Sequence, residues 1–155
     1  MATTHVPRGY HTATPYLILD DAARAIDFYQ RAFGATELDR YEAPGGKIGH
    51  AEIKVGDSVI MLADEYPDMG YRSPRAIGGT PVSIMLYLDN VDASFAKAVQ
   101  AGAKVLRPVA DQFYGDRVGT LEDPFGHVWT LATHVEDLSH GEIMRRGEAA
   151  SKPAS

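Results

Sequence analysis

Apolar residues recur along this chain with two alternating periods, and the same order of periods occurs twice. Over residues 22–33 they fall at the i, i+3, i+4 spacing of an amphipathic helix, and residues 91–99 repeat that spacing. One strand-like run precedes each helix and three follow it, so the pattern predicts the element order βαβββ in two copies. The helical positions predicted to face a core are Ala22, Ala25, Ile26, Tyr29, Ala32 and Phe33, then Val91, Phe95, Ala98 and Val99.

Both predicted helices begin and end with the same chemistry. Gly34 and Gly102 follow the last turns and can adopt the left-handed conformation that ends a helix. Short polar side chains precede the first turns, where they can accept hydrogen bonds from free backbone N–H groups. The candidate N-caps are Asp20 or Asp21 in the first copy and Asn90 or Asp92 in the second.

The repeat divides the chain into one domain over residues 12–135, with module 1 at about 12–64 and module 2 at about 81–135. Residues 65–80 contain prolines and glycines without a clear period and are predicted to be a connecting loop. Flexible tails are expected at 1–11 and 147–155, with one short helix between 139 and 146. The predicted strands are 14–19, 36–41, 50–55 and 58–63 in module 1, and 82–88, 104–109, 117–122 and 127–133 in module 2.

Composition narrows the classes of function. The absence of cysteine excludes disulfides, thiolate metal sites and a cysteine nucleophile. The net charge of −6, with 15 scattered basic residues, argues against nucleic acid as a partner and would favour a cationic ligand. Neither a long apolar run nor a signal-peptide pattern is visible, so we expect a cytoplasmic protein without a membrane partner.

Two short motifs accompany the repeat and point to a family. Asp27-Phe28-Tyr29 precedes Phe33-Gly34-Ala35 in the first helix, and module 2 carries the turn Asp123-Pro124-Phe125-Gly126. With the two βαβββ copies, these motifs resemble the vicinal oxygen chelate superfamily, which includes glyoxalase I, extradiol dioxygenases, fosfomycin-resistance enzymes and bleomycin-binding proteins. The stretch from Tyr114 to His134 is similar to the PhnB-like, glyoxalase-like branch. The resemblance implies an α+β fold, in which tandem βαβββ modules form curled mixed sheets around a small-molecule cleft, and commonly a homodimer.

The resemblance also implies where a metal would bind. Enzymes of the superfamily hold a divalent metal with side chains from the first and fourth strands of each module. The matching positions here are Thr14, Ser83, Ile60 and Thr130, which lack the imidazole and carboxylate groups of a strong site. The neighbouring residues Pro15, Ile84, Met61 and Trp129 are no better as ligands. We therefore expect no metal and no cofactor at this position.

His50 and Glu52 are the candidate catalytic residues. They lie two apart on a predicted strand, so both side chains project from one face. Such a pair could act as a general base with its orienting carboxylate, or as half of a relocated metal site. The alternative is an ordinary half-exposed strand, in which polar residues alternate with Ala51 and Ile53.

The remaining candidates are ligand-binding residues. Strand alternation places Tyr16 on the cleft face and Leu17 on the helix face, and it predicts that the unique tryptophan, Trp129, lies in the core. Arg117 follows a Gly-containing loop and could clamp a carboxylate or phosphate of a ligand. The alternative is a salt bridge to Asp111 or Asp116 nearby. His127 is expected to hydrogen-bond its own turn, and His134 could reach the cleft. The predicted ligand-binding set is Thr14, Tyr16, Ser83, Met85, Tyr87, Tyr114, Arg117 and Thr130.

These observations leave two main functions open. One is a metal-free cleft that binds or sequesters a small, partly aromatic molecule, or that carries out metal-independent acid–base chemistry. The other is a divalent-metal-dependent enzyme, a glyoxalase-like lyase or dioxygenase type, with its site moved to His50 and Glu52. The same scaffold can host both, so the fold alone does not separate them. A third hypothesis, self-assembly around a vestigial cavity, ranks last.

Overall fold

A computed structural model describes residues 2–153 and contains two four-stranded mixed sheets. Each sheet has one parallel and two antiparallel strand pairs, which is the curled α+β arrangement predicted from the repeat. Module 1 comprises β1 (Tyr16–Leu19), α1 (Ala22–Phe33), β2 (Thr36–Ala43), β3 (Lys47–Val55) and β4 (Ser58–Asp64). Module 2 comprises β5 (Ser83–Tyr87), α3 (Val91–Gln100), β6 (Lys104–Asp111), β7 (Asp116–Glu122) and β8 (Val128–His134).

Strand order is the same in the two sheets, β1-β4-β3-β2 and β5-β8-β7-β6. The first strand of each module therefore pairs in parallel with the last, and the helix between them crosses one face of the sheet. That face carries the core, and α1 and α3 pack against each other. The opposite, concave face of each sheet is left for solvent or a ligand.

The predicted capping residues begin and end the two helices, except at the C-terminal end of α3. Asp21 and Asn90 are the N-caps, each accepting a hydrogen bond from the backbone N–H three residues later, and Gly34 ends α1 at a φ of 67°. Helix α3 instead ends at Ala101 in a right-handed conformation, and Gly102, at φ 120°, follows it. All six predicted core positions of α1 are buried, together with Phe28, whereas Val99 of α3 is 38% exposed, contrary to the prediction.

The connecting segment is more ordered than its composition indicates. It contains a 3-10 helix over Pro67–Met69 and a single-turn helix, α2 (Pro74–Ile77), capped by Ser73. Proline at the first helical position and a left-handed glycine after the last turn explain both elements, so the expectation that residues 65–80 contain no helix is wrong.

The C-terminal helix α4 (His140–Ser151) is also longer than predicted. Ser139 caps it, and Glu142 accepts hydrogen bonds from Arg145 and Arg146 one turn later. The helix therefore covers residues 147–151, which the sequence assigned to a tail, while residues 1, 154 and 155 of the predicted tails lie outside the described residues. None of the described helices is long and apolar enough to cross a membrane.

A buried aspartate joins the two modules. Asp123, only 4% exposed, accepts hydrogen bonds from the Tyr29 hydroxyl of module 1 at 2.6 Å and from the Trp129 indole of module 2 at 2.8 Å. Trp129 is fully buried, as predicted. The His127 ring lies 2.8 Å from the carbonyl oxygen of Ile18 in module 1 and does not bond its own turn. His127 meets Asp123 through its backbone, since its N–H donates to Oδ1 and its carbonyl oxygen accepts the Asp123 N–H.

Candidate functional site

The concave face of module 1 is built by strand alternation. Leu17 and Leu19 are buried under α1, and Tyr16, on the opposite face of β1, is 49% exposed. Register places Tyr16 beside Met61 of β4, which in turn lies beside Glu52 of β3. Side chains of paired residues share one face of a sheet, so these three lie side by side.

A hydrogen-bond network connects the polar side chains of this face. The Tyr16 hydroxyl lies 2.8 Å from Nδ1 of His50, and Nε2 of His50 lies 3.2 Å from Oε2 of Glu52. The hydroxyl of Tyr10 donates to the other oxygen, Oε1, of the same carboxylate. The structure thus brings together the predicted residues Tyr16, His50 and Glu52, and adds Tyr10.

The distances are compatible with a relay in which every group donates or accepts one proton. Tyr16 donates its O–H to Nδ1 of His50, and the imidazole then carries its proton on Nε2 and donates to Glu52. Burial raises the pKa of Tyr16, which favours the protonated phenol. The hydrogen bond to Glu52 raises the pKa of Tyr10 for a different reason, because it stabilises the hydroxyl form.

A cleft of about 620 Å³ opens on this face and continues under the connecting segment. Its lining is mainly apolar and aromatic and includes Tyr16, whereas His50 and Glu52 are outside the lining. The half-exposed aromatic rings and thioether that surround it come from β1 and from the segment between the modules. They are Tyr16, Tyr66, Met69 and Tyr71. This volume suits a small organic molecule.

Two carboxylates give one side of the cleft a negative charge. Asp64 accepts backbone N–H groups of Ala22 and Ile48, each at 2.7 Å. Glu65 accepts the backbone N–H of Ser73 at 2.8 Å, and hydrogen bonding by Ser73 lowers the pKa of Glu65. Lys47 is the basic residue of the lining.

Four of the predicted ligand residues lie on the concave face of module 2, away from this cleft. Ser83, Met85 and Tyr87 alternate along β5, and Met85 is the register partner of Thr130 on β8. Thr130 lies 3.3 Å from Thr120 through their hydroxyl oxygens. Between the modules, Thr14 and Met85 line a smaller cavity of about 140 Å³.

Arg117 is held in salt bridges on the helix side of its sheet. Its guanidinium pairs with Asp92 of α3 at 2.8 Å and with Asp111 of β6 at 3.1 Å, and both carboxylates raise its pKa. Asp92 belongs to the helix layer, so the side chain is directed away from the concave face. The salt-bridge alternative is therefore the one observed, with Asp92 as an unforeseen partner. Tyr114 lies in the loop before β7, its ring 5.3 Å from that of Phe113.

The aromatic residues of the connecting segment and Tyr10 were missed by sequence reasoning. Tyr66, Met69 and Tyr71 lie in the stretch interpreted as a loop, and Tyr10 lies in the predicted tail. Two tyrosines and a methionine between positions 66 and 71 were the available signal, because large apolar side chains are uncommon in a purely connecting loop. No pattern indicates that Tyr10 meets Glu52, since 42 residues separate them.

The residues at the superfamily's metal positions do not fit a divalent metal. Thr14, Ser83 and Thr130 offer only neutral hydroxyls, and Ile60 is buried on the helix face, so Met61 takes its place on the concave face. Within residues 2–153, no three His, Cys, Asp or Glu side chains are grouped to hold a metal ion. Hydroxyl and thioether donors bind such ions weakly compared with imidazole and carboxylate.

Comparison with known proteins places this architecture in a family. Residues 10–131 match the model of the Glyoxalase/Bleomycin resistance protein/Dioxygenase superfamily. The uncharacterized protein Mb0911c of Mycobacterium bovis is 47% identical over 133 residues, covering 84% of this chain and 88% of that protein. The crystal structure of TioX from Micromonospora sp. ML1 superposes with a TM-score of 0.63 at 27% identity, covering 83% of this chain and 100% of TioX.

A more distant structure shares the fold. The PhnB protein from Bacillus cereus, described as a putative 3-demethylubiquinone-9 3-methyltransferase, has a TM-score of 0.61 at 22% identity, over 79% of this chain and 99% of its own. Two βαβββ modules, shared architecture and a family match across most of the chain agree with one another. The chain belongs to the Glyoxalase/Bleomycin resistance protein/Dioxygenase superfamily.

Proposed function

We propose that this protein binds a small planar aromatic molecule in the module 1 cleft, without a metal ion. The observation that carries the proposal is a cleft of about 620 Å³ lined by three tyrosines, one of which, Tyr16, is hydrogen-bonded to His50. Aromatic side chains stack on planar ligands, and a few polar groups set the ligand's orientation.

The charges of the cleft favour a cationic ligand. Two carboxylates, Asp64 and Glu65, line it together with one lysine, Lys47, and the whole chain carries a net charge of −6. The faces of tyrosine rings attract cations, so carboxylates and aromatic rings act in the same direction. The proposed ligand class is therefore a planar aromatic cation.

Beyond binding, the network supports removal of a proton from the ligand. A ligand proton would move to the Tyr16 oxygen while the Tyr16 proton moves to Nδ1 of His50, and Glu52 would stabilise the resulting imidazolium. Tyr16 is the group placed to touch the ligand, and His50 and Glu52 are positioning residues that act through it. Sequestration and metal-independent proton transfer thus use the same cleft.

Binding can be tested with proflavine, a planar tricyclic cation, by fluorescence anisotropy. We expect saturable binding, and about 2- to 30-fold weaker binding by Tyr16→Leu because a cation–π contact of roughly 0.5–2 kcal/mol is lost. Tyr41→Leu removes a comparably exposed tyrosine of β2 that does not line the cleft, and is the matched control, with unchanged affinity. Absence of saturable binding, or an equal loss in both variants, would refute the cleft as the binding site.

Metal independence has a separate test. The protein, purified without a histidine tag, is dialysed against nickel, zinc, manganese and iron in turn, and the bound metal per chain is measured. We expect far less than one metal per chain. Near-stoichiometric binding that His50→Ala abolishes would instead establish the metal-dependent alternative, for which Nε2 of His50 and Oε2 of Glu52, 3.2 Å apart, are the available donors.

A homodimer in the cytoplasm completes the proposal. Large apolar side chains outside both proposed sites are exposed, including Val82 and Leu106 at 65% and 44%, and exposed apolar surface favours association. Light scattering behind size-exclusion chromatography should report twice the 16.8 kDa chain mass, and a monomeric mass would contradict the dimer.

A further inference from the structure

The concave face of module 2 holds a second polar cluster that the module 1 cleft does not use. Oδ1 of Asp116 lies 2.7 Å from Nδ1 of His134, and Oδ2 of the same carboxylate accepts the Tyr87 hydroxyl at 2.9 Å. Asp116 is 5% exposed, so the carboxylate is buried beneath a more exposed imidazole. We call Asp116 and His134 the module 2 dyad.

The backbone around the module 2 dyad is fixed from both sides. Asp116 and His134 are register partners across β7 and β8. Gly115 precedes the dyad at a φ of 97°, and its carbonyl oxygen accepts the backbone N–H groups of Val135 and Glu136 at 2.9 and 3.0 Å. The imidazole is therefore held by its Nδ1 side, with its Nε2 side directed outward.

The carboxylate of Asp137 occupies the outward side of the His134 ring, where a ligand could displace it. Its Oδ1 lies 2.7 Å from Nε2 of His134, although its side chain is 99% exposed. An exposed carboxylate is readily rehydrated, and such surface pairs contribute little. The position at Nε2 is thus already suited to an anionic oxygen, and the residue that fills it is displaceable.

The surroundings of the dyad are aromatic. Tyr87 is 62% exposed and donates its hydroxyl to Asp116, while Tyr114, 36% exposed, lies two residues before Asp116 along the chain. Phe113 packs edge-on against Tyr114. An oxyanion carried on an aromatic ring would match both the imidazole and these side chains.

From this juxtaposition, we propose that the module 2 dyad is a second binding site, which takes phenolic ligands as their phenolates. The ligand oxygen replaces the Asp137 carboxylate at Nε2 of His134, and the ligand ring lies against Tyr87 and Tyr114. A neutral imidazole takes the phenol O–H proton on Nε2. An imidazole that is already protonated binds the phenolate directly, and the phenol proton goes to water. Both routes end with a phenolate paired to an imidazolium that Asp116 supports.

The test uses 4-nitrophenol, because only its phenolate absorbs visible light strongly. Titrated into the protein at a pH where free 4-nitrophenol is mostly protonated, it should show a saturable rise in phenolate absorbance. His134→Gln should weaken binding by about 10-fold or more, since a hydrogen bond to a charged group is lost. His140→Gln, an exposed histidine on α4, is the matched control and should leave the titration unchanged.

Two further variants separate binding at the dyad from a loss of folding and from binding in the module 1 cleft. Asp137→Asn removes the competing carboxylate and should tighten binding about two- to fivefold. This is the change in affinity expected when an exposed ion pair no longer competes with the ligand. If His134→Gln fails to fold, Asp137→Asn still tests whether the phenolate binds at the dyad. His50→Gln should have no effect, which keeps this site distinct from the module 1 cleft. No saturable rise, a rise that survives His134→Gln, or binding that Asp137→Asn leaves unchanged or weaker would each overturn the proposal.

Discussion

Two carboxylates act on the ionisation of His134, on the concave face of module 2. The hydrogen bond to Asp116, followed by that to Asp137, raises the pKa of His134 above its usual 6.5. Asp116→Asn replaces the larger of these effects with a neutral amide, so the pKa of His134 should fall. Titration of the histidine ring protons by NMR measures the change, and an unaltered pKa in Asp116→Asn would show that the buried carboxylate does not support the imidazole.

The same perturbation predicts how stability depends on pH. Because the pKa of His134 is raised in the folded state, its contribution is fully present below the unfolded value of 6.5 and is lost as pH rises through the folded pKa. His134→Gln should therefore destabilise the protein more at about pH 5 than at alkaline pH. Urea unfolding at both values checks this, with His140→Gln as the reference, and a cost independent of pH would contradict it.

Individual site residues differed in how far the sequence could reveal them. Tyr16, His50 and Glu52 were predictable because strand alternation alone assigns a side chain to a face. Tyr10 was not, because its contact with Glu52 depends on how the N-terminal segment returns to β3. Arg117 was ambiguous until the structure placed Asp92 beside it, since a local sequence does not show which carboxylate of another element is nearest.

At the scale of elements, the contact between α3 and its sheet depends on a glycine. A Cβ at Gly119 in β7 would lie 2.7 Å from the Phe95 ring and 2.8 Å from Val109. Gly119→Ala should therefore destabilise the fold by about 1–3 kcal/mol through overpacking.

Urea unfolding gives the measurement, and a strand of module 1 supplies a control. A Cβ at Gly49 in β3 would meet its nearest neighbours at 3.5 Å and 3.7 Å, which is ordinary van der Waals contact, so Gly49→Ala should not destabilise comparably. Equal effects of the two substitutions would mean that strand propensity, rather than the helix contact, determines the cost.

Elements with a strong period were predictable and those defined by local capping were not. Helices α1 and α3 follow from spacing and caps that occur twice. The single turn of α2 has too few residues to display a period, and α4 is held by Ser139 and arginine–glutamate pairs without a buried apolar face. Where tertiary contacts or capping determine a short helix, hydrophobic spacing carries little information.

At the scale of the whole molecule, the repeat predicts two similar modules but not the contacts that join them. The hydrogen bond between Tyr29 and Asp123 connects positions 94 residues apart, and the rings of Phe33 and Trp129 meet at 4.7 Å across the same boundary. Burial raises the pKa of Tyr29 well above its usual value, which keeps its hydroxyl a donor to Asp123. The modules therefore share one core rather than two independent ones.

This shared core predicts a single unfolding transition that depends on Asp123. One carboxylate oxygen of Asp123 accepts both the Tyr29 hydroxyl and the Trp129 indole N–H. Asp123→Asn replaces the carboxylate with a neutral amide and should lower the free energy of unfolding by about 1–3 kcal/mol. Trp129 is the only tryptophan, so its fluorescence reports the boundary while circular dichroism reports both modules. The two urea curves should coincide in the wild type and shift together in Asp123→Asn, whereas Asp89→Asn, at an exposed aspartate, should move neither. A tryptophan transition that precedes loss of secondary structure would instead mean that the modules separate before they unfold.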